Sequence, residues 1–161
     1  MMVEMRIQGL MVDPITTMPL LVLRDPKSDS KLPIWVAVFE ANAIATELER
    51  VKTPRPMSHD LMRSLIEALD GKLTRVAITD LQDNIFYALL EIETPRGPKK
   101  IDARPSDAIA LALRCEAPIV ASEEVIEAAQ SIDLTQGHQE SEQLRHWLEG
   151  LGESELGKYE I

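Results

Sequence analysis

Short stretches of alternating or continuous apolar residues recur along the chain, a pattern typical of β-strands. The predicted strands span residues 3–12, 18–24, 32–38, 73–81, 84–93, 99–103 and 118–121. Apolar residues spaced three and four apart predict helices at residues 40–51, 58–69, 105–114 and 123–129, and a last helix that carries Leu144, Trp147 and Leu148. Hairpin-like strand pairs with helices inserted between them, and no regular βαβ alternation, predict an α+β fold. We expect a largely antiparallel or mixed sheet with helices packed on one side.

The helix predicted from residue 58 onward has the most complete pattern. Ser58 is a favoured N-cap residue, and Met57 before it is placed to pack on Met62 as a hydrophobic staple. One helical face carries Leu61, Met62, Leu65, Ile66 and Leu69. The pair Asp70-Gly71 then ends the pattern, as expected at a helix C-terminus.

Composition indicates a single compact protein. With 161 residues, 45% of them apolar, the chain can bury a full core. We place one domain at residues 1–130 and an acidic C-terminal helical extension at residues 131–161. The lone Cys115 excludes an internal disulfide. No signal sequence and no apolar stretch long enough for a bilayer is found, so a cytoplasmic protein without membrane contact is expected.

The net charge of −10 opposes any function that depends on phosphate attraction alone. The charge is unevenly distributed. Residues 121–161 hold 2 of the 17 Lys and Arg residues and 10 of the 27 Asp and Glu residues, which leaves residues 1–120 with 15 against 17. This nearly neutral part has room for a local basic patch, which the acidic tail could screen. The plainer interpretation is that the tail is a solvated helix whose acidity keeps the protein soluble.

Two segments combine an Arg-Pro pair with Ser, Asp and the start of a helical pattern. They are residues 55–61, RPMSHDL, and residues 104–109, RPSDAI. A helix start offers unpaired backbone N–H groups and a partial positive charge, so with an adjacent arginine it can anchor an anion such as phosphate. The same segments carry an imidazole and carboxylates, which hold divalent metals or move protons. Together these groups indicate phosphodiester chemistry.

Three blocks of the sequence resemble the bifunctional nuclease domain family. They are residues 31–42, KLPIWVAVFEAN, residues 54–61, PRPMSHDL, and residues 101–114, IDARPSDAIALALR, the last followed by APIV at 117–120. The blocks occur in the family's order, and the resemblance covers about residues 3 to 130. The ending, LRHWL at 144–148 with GKY at 157–159, is similar to the tail of bacterial members.

The resemblance implies an enzyme that cuts DNA and RNA, and no agreed set of catalytic residues comes with it. The candidates are therefore the polar residues at the two helix starts, which form one cleft if both starts lie at the same end of the sheet. The expected catalytic residues are His59, Asp60, Asp102 and Asp107. In that arrangement Asp60, Asp102 and Asp107 would hold a Mg2+ or Mn2+ cofactor, and His59 would supply a base. Arg55 and Arg104 would bind the phosphate.

Each candidate also has a plainer structural interpretation. Asp60 and Asp107 can be caps that complement the helix dipole, and Arg55 and Arg104 can bridge to those carboxylates or to Glu40. The alternative function is a non-catalytic, oligomeric binding or regulatory module that recognises an anionic ligand or a partner protein. Three carboxylates within reach of one metal favour the enzyme, whereas Arg–Asp pairs closed on each other favour the module.

Apolar strands at the edge of an open sheet also predict self-association, because unpaired strand edges invite pairing. We expect a homodimer or a higher homo-oligomer that buries part of residues 3–23 or of residues 32–39.

Overall fold

The computed structural model of the chain describes residues 1–13 and 17–132, where seven strands and four helices form one α+β fold. The strands are β1 (Met2–Val12), β2 (Pro19–Arg24), β3 (Lys31–Trp35), β4 (Lys72–Gln82), β5 (Ile85–Glu93), β6 (Lys99–Ala103) and β7 (Ile119–Ser122). The helices are α1 (Val38–Leu48), α2 (Ser58–Ala68), α3 (Pro105–Cys115) and α4 (Glu123–Ile132). The acidic extension lies outside the described residues from 133 onward.

The sheet is mixed, with strand order β3-β2-β1-β7-β4-β5-β6. β7 lies between β1, with which it pairs antiparallel, and β4, with which it pairs in parallel. The other neighbouring strands pair antiparallel. The turn between β4 and β5 places Asp83 and Asn84 at φ 49° and 63°, as a two-residue hairpin loop requires. The predicted α+β class and mixed sheet are confirmed, with the helices packed against the sheet.

The third strand ends earlier than its apolar pattern predicts. Residues 32–38 were expected to be extended, but β3 stops at Trp35 and α1 already begins at Val38. β3 pairs only with β2, and the register ends where Trp35 lies opposite Leu20, next to the start of β2 at Pro19. The N–H of Val36 still donates to the backbone oxygen of Pro19 at 3.1 Å, and the ladder ends there because β2 begins at Pro19. β3 is an edge strand, which is where a sheet tolerates a proline such as Pro33.

A buried arginine on α3 joins three helices. The Arg114 side chain is only 2% exposed, and its Nε donates to Asp60 Oδ1 on α2 at 2.8 Å. Its Nη2 donates to the backbone oxygen of Ala43 on α1 at 3.0 Å, and its Nη1 to that of Ala110 on α3 at 2.8 Å. A buried cation is tolerated only when it is paired and hydrogen-bonded, and here all three nitrogens are satisfied. The guanidinium thereby fixes α1 and α2 on α3.

The apolar stripe of α2 is largely exposed. Leu61, Leu65 and Leu69 are 54%, 53% and 74% exposed, and Met62 is 39% exposed. An amphipathic helix normally turns such a stripe to the core, but α2 instead buries His59, which lies roughly 100° around the axis from the stripe at 3.6 residues per turn. The rotation of α2 therefore follows its polar contacts with α3. Ser58 is the first helical residue and Met57 the N-cap, so the predicted cap is wrong by one position.

Most strand residues expected at a subunit interface are already buried within one chain. Residues Leu20 to Leu23, Leu32 and Ile34 are at most 2% exposed. The exposed remainder of the expected segments includes Trp35, Val38 and Phe39, at the junction of β3 and α1. Within the described ranges, no helix is long and apolar enough to cross a membrane.

Removing the charge of Asp60 or Arg114 should destabilise the helix layer. Asp60→Asn leaves the buried guanidinium without its carboxylate, and we expect a loss of about 1–3 kcal/mol in the free energy of unfolding. The double variant Asp60→Asn/Arg114→Met should lose less than the sum of the single variants, because it buries no unpaired charge. Urea unfolding compares wild type, the single variants Asp60→Asn and Arg114→Met, and the double variant. The matched control is Glu67→Gln, in the exposed Arg63–Glu67 pair of the same helix, with an expected effect within about 0.5 kcal/mol. Strictly additive losses would contradict the coupling.

The Asp60 contacts should also make stability depend on pH in the acid range. Burial raises the pKa of Asp60, but the Met57 N–H at 2.8 Å and the Arg114 guanidinium outweigh it and hold the pKa below its ordinary 3.8. A lowered folded-state pKa stabilises the protein fully above the unfolded-state value, and this stabilisation disappears as the pH falls through the folded-state value. The stability difference between wild type and Asp60→Asn should therefore shrink below about pH 4. A difference that stays constant in acid would count against the contact.

Candidate functional site at the helix starts

Three helices begin at one place, and four polar side chains meet there. We call Glu40 of α1, His59 of α2, and Arg104 and Asp107 at the start of α3 the helix-start cluster. Pro105 is the first residue of α3, where its missing N–H costs nothing, so Arg104 becomes the N-cap residue just outside the helix. The first turns of α1, α2 and α3 contain Glu40, Asp60 and Asp107 respectively. Each carboxylate therefore faces the partial positive charge of its own helix.

Asp107 is the centre of the cluster. Its Oδ1 lies 3.0 Å from His59 Nε2, and its Oδ2 accepts from Arg104 Nε at 2.9 Å. The His59 side chain is 7% exposed. An ionised carboxylate can only accept, so Nε2 of His59 carries the proton, and its Nδ1 is the basic nitrogen while the ring is neutral. The carboxylate thus orients the imidazole.

Arg104 connects this pair to α1. Its Nη2 lies 2.6 Å from Glu40 Oε1 and 2.8 Å from Asp107 Oδ2. The hydrogen bond to Glu40, and then that to Asp107, raises the pKa of Arg104 further above its usual range. Its side chain nevertheless stays 62% exposed, so the cation remains open to solvent and to a ligand. Glu40 is 14% exposed, and its Oε2 is buried without a hydrogen-bond partner among the described residues.

Two other predicted site residues do not join the cluster. Asp60 is the neighbour of His59, but its carboxylate accepts from the Met57 N–H and from Arg114, on the inner side of the helices. Arg55 is exposed in the segment that enters α2. The expectation that the two Arg-Pro helix starts lie together is therefore met through His59 and Asp107. The arginines of the two segments differ, because Arg104 is paired with Glu40 and Asp107 whereas Arg55 is exposed before α2.

Asp102 is separated from the cluster by strand alternation. In β6, Ala103 pairs with Ala88 and packs against the core, so its neighbour Asp102 points to the opposite face of the sheet. Asp102 is exposed there, opposite Leu89 of β5. The structure thus does not bring Asp102 and Asp107 together, although only four residues separate them in the chain.

The carboxylates do not fit a shared metal ion as they are arranged. In the described part of the chain, no group of three or more His, Cys, Asp or Glu side chains could hold one. Asp107 is paired with Arg104 and His59, and Asp60 is paired with Arg114. Asp102 lies on the other face of the sheet. The Mg2+ or Mn2+ requirement remains a prediction, and we derive no chemical step through a metal.

Sequence reasoning missed the role of Arg114 and placed Glu40 only as a possible partner of an arginine. The signal for Arg114 was a single charged residue at the end of the apolar run 108–113. Such a position is buried when the helix packs on both sides, and a buried arginine must then have partners on neighbouring elements. The predicted bridge from Arg104 to Asp107 or Glu40 is confirmed, since both are formed.

Comparison with known proteins agrees with this sequence pattern. The family model described as the bifunctional nuclease domain matches residues 21–133. An uncharacterized protein of Mycobacterium tuberculosis is 44% identical over 126 residues, which are 78% of this chain and 75% of that protein. Bifunctional nuclease 1 of Oryza sativa subsp. japonica is 30% identical over 95 residues, which are 57% of this chain and 29% of that protein.

A protein of Oryza minuta named bifunctional nuclease matches to the same extent. The plant proteins thus share one part of their length with this chain. The match of the family model over most of the chain decides the assignment. The chain belongs to the bifunctional nuclease domain family.

Proposed function

We propose that the protein binds nucleic acid at the helix-start cluster and cleaves its phosphodiester bonds. The observation that carries the proposal is the bridging carboxylate of Asp107, which holds an imidazole at 3.0 Å and a largely exposed guanidinium at 2.9 Å. An oriented imidazole beside a cation is a combination that proton transfer at a phosphate diester needs. The names of the plant relatives and the family of this chain support the same class of reaction.

The cluster residues have separable roles in this proposal. Arg104 binds the phosphate through the N–H groups that face solvent, while Glu40 and Asp107 hold its guanidinium in place. His59 accepts a proton from the attacking water at Nδ1, since Asp107 occupies Nε2. The water oxygen bonds to phosphorus as the P–O bond to the leaving sugar oxygen breaks, and that oxygen takes up a proton from solvent. Asp107 orients the ring and stabilises the imidazolium that forms. Because His59 is nearly buried, the attacking group must be small, which favours water over a hydroxyl of a second nucleotide.

A second function, binding without cleavage, is favoured by a specific observation. Arg104 forms ion pairs with Glu40 and Asp107. Arg114, near the end of α3, forms an ion pair with Asp60 at the start of α2. Closed pairs are also what a stable scaffold would use. In that case the cluster would recognise an anionic ligand or a partner protein, and no phosphodiester bond would be broken.

We also propose that the protein is a homodimer that buries the apolar stripe of α2. The stripe formed by Leu61, Met62, Leu65 and Leu69 contains no charged residue, so two copies can face each other across a two-fold axis without like charges in contact. Exposed apolar patches of this kind mark protein interfaces. In this proposal the interface lies on a helix and not on the strand edges expected from the sequence.

Cleavage should depend on Asp107 and not on Asp102. We expect Asp107→Asn to lower the rate of nucleic-acid cleavage at least about tenfold, because the imidazole loses its orienting charge. Asp102→Asn is the matched control, with the same change on the opposite face of the sheet, and should keep the wild-type rate. The assay compares single-turnover cleavage at matched folded fraction, in EDTA and after addition of Mg2+ or Mn2+.

The conditions with EDTA, Mg2+ or Mn2+ test the predicted metal cofactor separately. Cleavage that is lost in EDTA and restored by Mg2+ or Mn2+ would establish metal dependence. Equal cleavage by wild type and both variants would identify a contaminating nuclease. If highly purified wild type binds a labelled strand and cleaves nothing with any metal, the non-catalytic module is the function.

The dimer should dissociate when its stripe is charged. Wild type should elute with about twice the 18.0 kDa chain mass in size exclusion with light scattering. Leu65→Lys places a cation at the centre of the stripe and should shift the protein to the single-chain mass. Ile85→Lys, at a position 58% exposed in the β4–β5 hairpin, is the control and should remain dimeric. A wild type of single-chain mass at micromolar concentration would contradict the proposal.

A further inference from the structure

The side chain of Phe39 is 85% exposed, and this residue adjoins the helix-start cluster in the chain. Phe39 is the second residue of α1 and directly precedes Glu40, whose carboxylate is 2.6 Å from the Arg104 guanidinium. Trp35, the last residue of β3, and Val38, the first residue of α1, are 45% and 66% exposed. An aromatic ring this open contributes little to the core, and single-chain packing gives no reason for it.

We infer that the substrate strand is single-stranded and that Phe39 is the stacking platform for one of its bases. This inference rests on the proposed function. Proteins that bind single strands pair a cation that contacts the backbone with an aromatic ring that stacks on a base, and stacking is tolerant of base identity because every base has a π-face. Here the cation is Arg104 and the ring is one residue away from its partner Glu40.

A double helix fits this pair of an arginine and an exposed aromatic ring less well than a single strand does. Its bases are stacked on each other, and a base must be extruded before an aromatic side chain can cover its face. An unpaired strand offers both a phosphate and a free base face at neighbouring positions. The charges of the cluster point in the same direction, since Glu40, Asp107 and Arg104 sum to −1 with His59 neutral. Two carboxylates face one arginine there, so phosphate attraction alone is weak and stacking must contribute to affinity.

A second copy of the chain is the competing occupant of this patch. Phe39 and Val38 lie next to Glu40 in the chain, and the Arg104 partner of Glu40 remains open to solvent, whereas the stripe of α2 is uncharged over its whole length. An obligate interface is depleted in charged residues at its centre. The α2 stripe therefore suits a second copy better, and the Phe39 patch suits a ligand that is part apolar and part anionic.

The test measures the affinity of the full chain for three fluorescently labelled probes: a mixed-sequence DNA single strand, an abasic strand of equal length, and the corresponding duplex. Wild type should bind the single strand at least about fivefold more tightly than the abasic strand or the duplex, the lower limit for one stacked base. Phe39→Ala should abolish that preference, and Phe39→Tyr should keep it. Ile85→Ala, another exposed apolar position, should behave as wild type.

The outcomes separate this inference from the proposed function. If wild type binds and cleaves the abasic and base-bearing strands equally well, the stacking role is wrong while the phosphate site at the cluster stands. If wild type binds no probe at all, both are wrong. If Phe39→Ala instead changes the mass in light scattering from dimer to single chain, the patch is a subunit interface and the inference is overturned. Circular dichroism confirms that each variant is folded.

Discussion

The arrangement of the helices depends on the burial of one guanidinium. Arg114 is almost completely removed from water, so its nitrogens must find acceptors, and the structure supplies one from each of α1, α2 and α3. With these three bonds formed, α1 and α2 have little freedom to slide or rotate on α3. The three helix starts then fall together, which is what brings Glu40, His59 and Asp107 into one cluster. A hydrophobic contact could not impose this registration, because it has no direction.

The same constraint explains the most unusual surface of the molecule. The polar pairs Asp60–Arg114 and His59–Asp107 determine which side of α2 faces α3. Hydrophobic burial alone would have turned Leu61, Leu65 and Leu69 inward. That the helix gives up this burial means that the polar contacts are worth more at this position, or that the stripe is covered in the assembled protein. The homodimer proposed above supplies the second explanation.

Most of the fold follows from local patterns, and the exceptions have physical causes. Apolar periodicity predicted the strands and helices because each has one buried side, and the Arg-Pro segments marked two helix starts correctly. The same patterns could not place the end of β3, which depends on the length of its partner β2. They also could not show which side of α2 is buried, since that depends on Arg114, which lies 54 positions beyond its partner Asp60 in the chain.

The candidate site was likewise only partly predictable from local patterns. Asp107 and His59 were found by residue type and position, whereas the separation of Asp102 required the pleat of β6 to be known.

The position of β7 has a consequence for how the chain can fold during synthesis. Strands β1 to β3 form one antiparallel group and β4 to β6 another, and β7 is the strand that joins them. Until residues 119–122 have left the ribosome, the sheet exists at most as two halves, each with an unpaired inner edge. Parallel pairing of β4 with β7 bridges more than forty residues, as in Val76 with Ile119, and contacts of such long range form late. The interval before β7 inserts is therefore the period in which the two open edges are most exposed to pairing with other chains.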